Sequence, residues 1–275
     1  MTAGLPIYKM SGSGNDFVFV DGRLSSAAEW TPERIAELCA RGTGVGADGL
    51  VFVAPGSAPG AVRMTYYNSD GSHAAMCGNA ALCSTRLAAH LGLVPGKTMR
   101  LETDAGVYES RVNGTVDRAE LHLAPVADPQ EVPKLGLLPA AGERRAALGV
   151  VGVPHLVVLV EDVDTIDLMG RGRALRRDKA LGPAGANVNF VSPADGSRWK
   201  MRTYERGVEA ETLACGTGAV TAACALVSWG LARLPAVFLT RSGREMKVSA
   251  RKSGARYDDV WLEGEARMVF RGVLS

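Results

Sequence analysis

Two cysteines occupy matching points of the chain, each directly before a run of small residues. Cys77 opens the stretch "CGNAALC" and Cys215 opens "CGTGAVTAAC", and both stretches are typical of an alanine-rich helix. A helix N-terminus carries partial positive charge, so it stabilises a cysteine as the thiolate and lets free backbone N–H groups bind a carboxylate. The pattern therefore predicts two thiol acid–base groups, each beside a small anion site.

The remaining cysteines, Cys39, Cys83 and Cys224, lie in alanine-rich or apolar helical segments, where a cysteine is ordinarily a buried packing residue. Five cysteines are an odd and sparse set, and none belongs to a Cys-x-x-Cys pair. The sequence therefore predicts neither a disulfide framework nor a structural zinc site. His73 stands four residues before Cys77, but two ligands do not make a metal site, and we expect no metal.

The sequence repeats itself at an offset of 138 residues, which is the separation of Cys77 and Cys215. Without gaps, "FVAP" meets "FVSP", "TY" meets "TY" and "CG" meets "CG", in the same order in both halves. A period of half the chain does not indicate a solenoid. It indicates two domains of one fold, and we expect a pseudo-two-fold axis to relate them.

Each half shows the same order of predicted elements. A strand ("NDFVFVDG" or "HLVVLVED") precedes a modest helix, further strands, the cysteine helix and a series of short strands. Thr31 and Pro32 are a good cap and first-turn pair for the first helix. The sequence predicts an α+β fold of two pseudo-symmetric domains, each a strand-rich, barrel-like sheet around a central helix.

The chain of 275 residues suits two medium-sized domains. We predict a first domain of residues 1–125, which contains Cys77, and a second of residues 126–275, which contains Cys215. The Pro- and Ala-rich segment from Val126 to Glu143 is the predicted crossing. Return of the C-terminal strand to the first domain is an alternative to this simple division.

Composition argues against several classes of partner. The 31 basic and 29 acidic residues are interspersed, so no basic face for nucleic acid is indicated. The first ten residues do not resemble a signal peptide, and the most apolar run, "GVVGVPHLVVLV", is too short to span a bilayer. We expect a cytoplasmic protein that binds a small molecule and has no nucleic-acid or membrane partner.

A pseudo-two-fold axis would make the two cysteine helices face each other across a cleft. One thiolate could then remove a proton from one face of a carbon while the opposite thiol protonates the other face. That exchange inverts a stereocentre without a covalent intermediate. The helix N-termini would stabilise negative charge on the substrate carboxylate in a closed, dry site.

The motifs "MCGN", "ERG" followed by "ETLACGTG", and "GSGNDFVFVD" resemble those of the diaminopimelate epimerases along essentially the whole chain. The resemblance implies a proline-racemase-like fold, a homodimer, and an enzyme without pyridoxal phosphate or any other cofactor. It implies interconversion of L,L- and meso-diaminopimelate on the route to lysine and peptidoglycan precursors, with Cys77 and Cys215 as the catalytic acid–base residues.

Position by position, the resemblance also implies a set of substrate contacts. The matching residues are Asn15, Asn68, Gly78, Asn79, Asn187, Glu205, Arg206, Gly216 and Thr217. Diaminopimelate carries an ammonium and a carboxylate at each end, and burying such charges without partners is costly. Adjacent Glu205 and Arg206 could supply both partners to the distal end, whereas the alternative interpretation is a solvated surface ion pair.

His155 and Glu211 are further candidates, which we expect to lie behind the substrate contacts and to tune the thiols. The alternative for His155 is an ordinary core histidine.

Three positions depart from the usual family pattern. Val153 stands where the family usually has Asn before Pro-His, and the offset of 138 pairs this valine with Asn15. Gly49 stands where some members carry Gln, and Leu82 replaces the more common Arg. None of these changes touches the thiols, so they bear on the exact substrate rather than on the type of reaction.

Two other functions compete with this interpretation. The first is a cofactor-independent racemase of another amino acid on the same fold, although proline racemases usually read "MCGH" where this chain has Asn79. The second, from a different class, is a non-catalytic protein that closes on an amino acid. A PhzF-like isomerase lacks the thiol pair, and no lysine lies in a setting typical of a pyridoxal phosphate enzyme.

Overall fold

The buried runs of Val, Ile, Leu and Phe form strands that are covered on both faces, as is typical where helices pack on each side of a sheet. A computed structural model describes residues 4–114, 117–138 and 142–275. In chain order, its strands are β1 (Pro6–Gly12), β2 (Asn15–Asp21), β3 (Gly49–Pro55), β4 (Ala61–Asn68), β5 (His73–Ala74), β6 (Thr98–Thr103), β7 (Gly106–Arg111), β8 (Arg118–Leu123), β9 (Val126–Ala127), β10 (Gln130–Glu131), β11 (Glu143–Val151), β12 (Val153–Val160), β13 (Asn187–Pro193), β14 (Arg198–Glu205), β15 (Ala210–Thr212), β16 (Ala236–Leu239), β17 (Glu245–Ser253), β18 (Arg256–Glu265) and β19 (Arg267–Val273).

Four α-helices accompany the strands in the described part of the chain: α1 (Pro32–Cys39), α2 (Gly78–His90), α3 (Leu168–Arg176) and α4 (Gly216–Ser228). None of them is both long enough and apolar enough to cross a membrane. The strand-rich α+β class predicted from the sequence is confirmed.

The chain divides into two compact units. The first contains the residues up to His122 together with Glu263–Ser275, and the second contains Leu123–Leu262. The last strand, β19, therefore belongs to the first unit, where it pairs antiparallel with β1.

Strand pairing follows the same plan in both units. In the first, β2 is antiparallel to β1 and parallel to β3, and β4 is antiparallel to β3 and parallel to β6. In the second, β12 is antiparallel to β11 and parallel to β13, and β14 is antiparallel to β13 and parallel to β16. The internal repeat is thus a repeat of structure.

The strand registers do not align the two "TY" pairs that the ungapped offset of 138 residues matches in the sequence, so this part of the match is wrong. Asn189 of β13 pairs with Thr203, but Val51 of β3, which lies 138 residues earlier, pairs with Tyr66. The counterpart of Thr203 is therefore Tyr66 rather than Thr65. Six residues lie between the paired Tyr204 and Glu211 of β14 and β15, but five lie between the corresponding Tyr67 and His73 of β4 and β5, and the extra residue restores the offset of 138 at the cysteine helix.

The two cysteine helices are the central elements of their units. Helix α2 contacts β1, β3, β4, β6 and β7, and α4 contacts β11, β12, β13 and β17. Most residues of both helices are buried. Alanine favours a helix and adds little bulk, so an alanine-rich helix fits inside a curved sheet and has no polar face.

The other two helices cover the opposite sides of the sheets. Helix α1 begins with Thr31, whose side chain accepts a hydrogen bond from the N–H of Arg34 at 3.3 Å, and it buries Ile35 against the β1–β3 core. Helix α3 begins with Asp167 and buries Leu175 against the core of the second unit. The predicted cap at Thr31 is confirmed, and it satisfies one of the free N–H groups of the first turn.

Candidate active site

Each of the two predicted catalytic cysteines is the residue directly before its helix. Cys77 (φ −140°, ψ 121°) and Cys215 (φ −135°, ψ 106°) are in extended conformations, and neither side chain caps its own helix. The thiols therefore lie beside the helix N-termini without occupying the N–H groups of the first turn. Cys77 is half-buried, whereas Cys215 is only 8% exposed.

In the first unit, two of the predicted amide side chains are joined beside Cys77. The Nδ2 of Asn79, the second residue of α2, donates to Oδ1 of Asn15 at 2.8 Å. Asn15 begins β2 directly after the tight turn of Ser13 and Gly14, both of which have positive φ (56° and 105°). The turn and the helix start thus bring Asn15 and Asn79 together from widely separated parts of the sequence.

Asp48 fixes the orientation of this amide pair. Its Oδ2 accepts from Nδ2 of Asn15 at 3.0 Å and from the backbone N–H of Asp16 at 3.2 Å. A carboxylate only accepts hydrogen bonds, so the Nδ2 of Asn15 must face Asp48 and its Oδ1 must face Asn79. Arg41 donates to the other oxygen of Asp48 at 2.7 Å and so completes the support.

A buried charge pair holds this support in place. The ammonium of Lys9, which is 7% exposed, lies 2.6 Å from Asp16, and Arg41 also donates to Asp16, at 2.5 Å. Burial would raise the pKa of Asp16, but the hydrogen bonds from Arg41 and Lys9 lower it below its usual value. Asp16 is therefore ionised, and the guanidinium of Arg41 bridges it to Asp48.

In the second unit, the start of α4 packs closely on β13. The Sγ of Cys215 lies 3.8 Å from Oγ1 of Thr217. A Cβ added at Gly218 would overlap Oδ1 of Asn189 and lie 3.1 Å from that sulfur. Gly218 therefore lets the helix N-terminus approach a buried amide, and Asn189 and the thiol flank the same glycine.

Asn189 also contacts the predicted residue His155. Its Nδ2 lies 3.3 Å from Nδ1 of His155 and donates to the carbonyl of Leu156 at 3.2 Å, while its Oδ1 accepts from Thr203 at 3.0 Å. His155 is fully buried, and burial, with the nearby charge of Arg206, lowers its pKa to about 3. The imidazole is therefore neutral at physiological pH.

Three more predicted contacts cluster at the end of β14. The Oδ1 of Asn187, which is 4% exposed, accepts from the backbone N–H of Arg206 at 2.7 Å. Burial raises the pKa of the neighbouring carboxyl of Glu205 above its usual value. A buried carboxyl of this kind gains from a cationic partner, which would favour its ionised form.

Two other predicted residues make local contacts. The Nδ2 of Asn68, at the end of β4, donates to Oγ of Ser72 at 3.0 Å. Both oxygens of Glu211 accept from Arg202, at 2.7 and 2.9 Å. Binding by Asn68 and tuning by Glu211 stay predictions.

Two of the family departures have a visible structural setting. A side chain at Gly49 would overlap the carbonyl oxygen of Tyr67 and lie 2.6 Å from Cε2 of Tyr66, so no glutamine fits without movement of the tyrosines. Val153, which is 36% exposed, begins β12 opposite Val151. Its side chain offers no hydrogen bond at a position where an amide is usual.

Sequence reasoning missed the residues that hold the predicted ones in place, above all Asp48, Arg41 and Asn189. Signals for two of them are present. Asn189 lies two residues after Asn187 and therefore on the same face of the strand, and Asp48 lies directly before β3. Arg41 follows α1, and only the folded chain brings it to Asp48.

Within the described ranges, no group of three or more His, Cys, Asp or Glu side chains is close enough to hold a metal ion.

Several solved structures share this fold. A phenazine biosynthesis protein of the PhzF family from Bacillus anthracis has a TM-score of 0.71 at 16% identity, covering 98% of this chain and 99% of that one. A probable proline racemase from Agrobacterium radiobacter has a TM-score of 0.66 at 16% identity, and the match covers 98% of this chain and 93% of that one. The chain therefore shares the strand-rich α+β fold of these structures.

Sequence comparison is more specific. The pattern of the family described as diaminopimelate epimerase matches residues 7–122 and 148–269. A diaminopimelate epimerase of Gemmatimonas aurantiaca is 47% identical over 97% of this chain and 98% of the relative. Another, of Aquifex aeolicus, is 40% identical over 98% of each. The chain belongs to the diaminopimelate epimerase family and is by that membership an isomerase, which confirms the resemblance seen in its motifs.

Proposed function

We propose that this protein is a diaminopimelate epimerase that interconverts the L,L- and meso-isomers of diaminopimelate without pyridoxal phosphate or any other cofactor. The observation that carries the proposal is the cysteine at the N-terminus of the central helix in each unit. Full-length similarity to diaminopimelate epimerases supports the choice of substrate. The product would serve the synthesis of lysine and of peptidoglycan precursors.

Cys77 and Cys215 act as the two acid–base groups of this reaction. In one direction a thiolate removes the α-proton from one face of the substrate, and the thiol of the other cysteine delivers a proton to the opposite face. In the reverse direction the two residues exchange roles. A thiol suits both roles because its pKa lies closer to neutral pH than that of a hydroxyl or an amine.

The reacting end of the substrate binds at the two helix N-termini. First-turn N–H groups, beginning with those of Gly78 and Gly216, can stabilise the α-carboxylate as negative charge develops on it. Asn79 and Thr217 stand at equivalent positions of α2 and α4 and add side-chain hydrogen bonds. The amide of Asn15, joined to Asn79, orients this end further.

The distal end binds at the end of β14. Arg206 pairs with the distal carboxylate, and Glu205 pairs with the distal ammonium. Because burial raises the pKa of Glu205, an incoming ammonium would favour the ionised form, and binding and ionisation support each other. Asn68 and Asn187 supply the orienting amides.

His155 and Glu211 act on the thiols from behind these contacts. His155 is neutral and fully buried, so it serves as a hydrogen-bonding dipole and does not compete with the cysteines for the substrate proton. Glu211, paired with Arg202, contributes through the field of an ion pair.

The protein acts as a homodimer in the cytoplasm. Three large apolar side chains of β19 are exposed: Val269 (47%), Phe270 (47%) and Val273 (65%). Exposed apolar side chains on a strand of this kind are a suitable surface for a second copy. In the part of the chain that the structure describes, no two cysteines form a disulfide, which suits a reducing compartment.

Solvent hydrogen exchange tests the proposed activity. The purified protein is incubated with L,L-diaminopimelate in deuterium oxide, and NMR follows loss of the α-proton signal and formation of the meso-isomer. Deuterium in the α-position of the product is the expected result. A panel of other amino acids, with proline and lysine included, is the control for specificity. Binding without exchange would indicate an amino-acid-binding protein, and exchange of another panel member alone would indicate a different racemase.

A further inference from the structure

We propose that Asn189 is a positioning residue that fixes His155 as the tautomer protonated on Nε2, so that the imidazole offers the Cys215 site a hydrogen-bond donor. The inference rests on the proposed function for its role in catalysis, but the tautomer itself is a property of the folded protein alone.

The carbonyl of Leu156 determines which way the Asn189 amide points. A backbone carbonyl only accepts hydrogen bonds, so the atom 3.2 Å from it must be the Nδ2 of Asn189. The second hydrogen of this NH₂ group is directed at Nδ1 of His155, at 3.3 Å. Nδ1 must therefore accept, and in a neutral imidazole the proton then resides on Nε2.

Two further contacts hold the amide in this orientation. The hydroxyl of Thr203 donates to Oδ1 of Asn189 at 3.0 Å. Gly218 at the start of α4 leaves the space that this oxygen fills, since any Cβ there would overlap it. An amide flip would place Oδ1 of Asn189 against the carbonyl oxygen of Leu156, where two acceptors form no hydrogen bond, so this carbonyl excludes the flipped orientation.

The corresponding positions of the first unit contain no such network. There, Phe17, Val51 and Tyr66 occupy the places of His155, Asn189 and Thr203, as the strand registers show. Phe17 and Tyr66 form an edge-to-face aromatic pair with ring centroids 6.0 Å apart.

The glycine of α4 has a counterpart too. Gly218 corresponds to Ala80 in α2, where a valine rather than an asparagine lies in the neighbouring strand. The same fold is therefore stable with an apolar cluster at these positions. A polar cluster restricted to the unit of Cys215 indicates a chemical task rather than a folding requirement.

The Nε2 atom of His155 indicates what this chemical task is. It is buried and has no hydrogen-bond partner among the residues that the structure describes. An unsatisfied buried N–H is costly, so negative charge that develops beside it during the reaction is stabilised. A donor of this kind cannot take up the substrate proton, so its effect falls on the chemical step.

Nitrogen-15 NMR of the histidine rings tests the tautomer directly in the unliganded wild-type protein. The chain has only four histidines, and a His155→Gln variant identifies the ring in question. The expected spectrum shows His155 with a protonated Nε2 and an unprotonated Nδ1. A protonated Nδ1 in the wild type would overturn the proposal, whatever the activity of the protein.

An Asn189→Asp variant tests the control that Asn189 exerts. A carboxylate accepts where the NH₂ group donated, so we expect Nδ1 of His155 to become protonated. We also expect kcat to fall by about tenfold or more with little change in KM, since a wrong tautomer impairs the chemical step rather than binding. Retention of the wild-type tautomer, or of the wild-type kcat, would contradict the inference.

Ser192→Ala is the matched control. Ser192 is a buried hydroxyl on the other face of β13, where it accepts from the N–H of Val163 at 3.2 Å. Its loss costs stability without contact to His155, so the tautomer and kcat should persist. If the Asn189→Asp protein does not fold, the nitrogen-15 spectrum of the wild type alone tests the tautomer of His155. If the wild-type protein shows the predicted tautomer but has no activity on diaminopimelate, the proposed function is refuted and the inference about the tautomer stands.

Discussion

At the scale of single residues, each thiol site depends on side chains that never need to touch a substrate. In the first unit, Asp48 sets the direction of two amides in series, first Asn15 and then Asn79. In the second, the carbonyl of Leu156 sets the direction of the Asn189 amide, which in turn acts on His155. In both cases a group that can only accept hydrogen bonds, the carboxylate of Asp48 or the carbonyl of Leu156, determines the orientation of the neighbouring amide.

Replacement of Asp48 by alanine should weaken substrate binding. Asn15 would lose the acceptor that orients it, and hydrogen bonds to charged groups contribute about 1.5–3 kcal/mol. We expect KM for diaminopimelate to rise by about tenfold or more, with a smaller change in kcat. Asp104→Ala is the control, because Asp104 is an exposed acid of the same unit that pairs with Arg63 and His73. Equal kinetic effects of the two variants would show that Asp48 has no positioning role.

Buried His155 should make the protein less stable in mild acid. Its pKa is about 3 in the folded state against about 6.5 when exposed, so between these values the unfolded state binds more protons. This contribution to stability is complete above the higher value and is lost as the pH falls towards the lower one. Relative to His155→Gln, wild type should lose about 1.4 kcal/mol per pH unit in this window, measured by urea unfolding. Parallel stability curves for the two proteins would show that the histidine does not titrate in this way.

At the scale of elements, the sequence allowed the helices and most strands to be predicted because their signals are local. The cap at Thr31 and the alanine-rich runs after the cysteines indicate helices, and unbroken apolar runs indicate buried strands. The one-residue shift of β14 relative to β4 could not be predicted in the same way. Register depends on pairing with β13, and "TY" occurs on both sides of the shift.

Gly218→Ala should destabilise the protein although alanine favours helices. In an open helical position this exchange gains up to about 1 kcal/mol, but here the added Cβ would overlap Asn189. Overpacking of a dense core costs about 1–3 kcal/mol, so the net change should be a loss of stability. Gly78→Ala is the control for stability, because the space at its Cβ is open within 4 Å. Thermal unfolding of both variants decides the matter, and a more stable Gly218→Ala protein would show that Asn189 has room to move.

At the scale of the whole molecule, an internal repeat at half the chain length is what made the architecture predictable. Offsets of 138 residues relate β3 to β13 and α2 to α4. Matches between the two copies did not indicate the supporting residues, because these are the points at which the two copies differ. His155 and Asn189 have Phe17 and Val51 as counterparts, and only the packing around Gly218 shows why.

The proposed homodimer predicts a change of mass on substitution in β19. Phe270→Glu places a charge among the exposed apolar side chains of β19 and should shift the protein from dimer to monomer. Val107→Glu alters an equally prominent exposed side chain of the same unit, on β7, and should leave the dimer intact. Analytical ultracentrifugation measures both. A monomeric wild type, or a dimeric Phe270→Glu protein, would rule out this surface as the interface.

The most direct test of the whole account is epimerisation by variants that keep only one of the two thiols. Cys77→Ala and Cys215→Ala proteins are incubated with L,L-diaminopimelate in deuterium oxide, and the meso-isomer and α-deuterium are measured against wild type. We expect neither variant to form detectable meso-isomer, because each lacks one of the two groups that inversion requires, while wild type forms it with deuterium incorporated. Formation of the meso-isomer at the wild-type rate by either variant would contradict a mechanism with one cysteine from each unit.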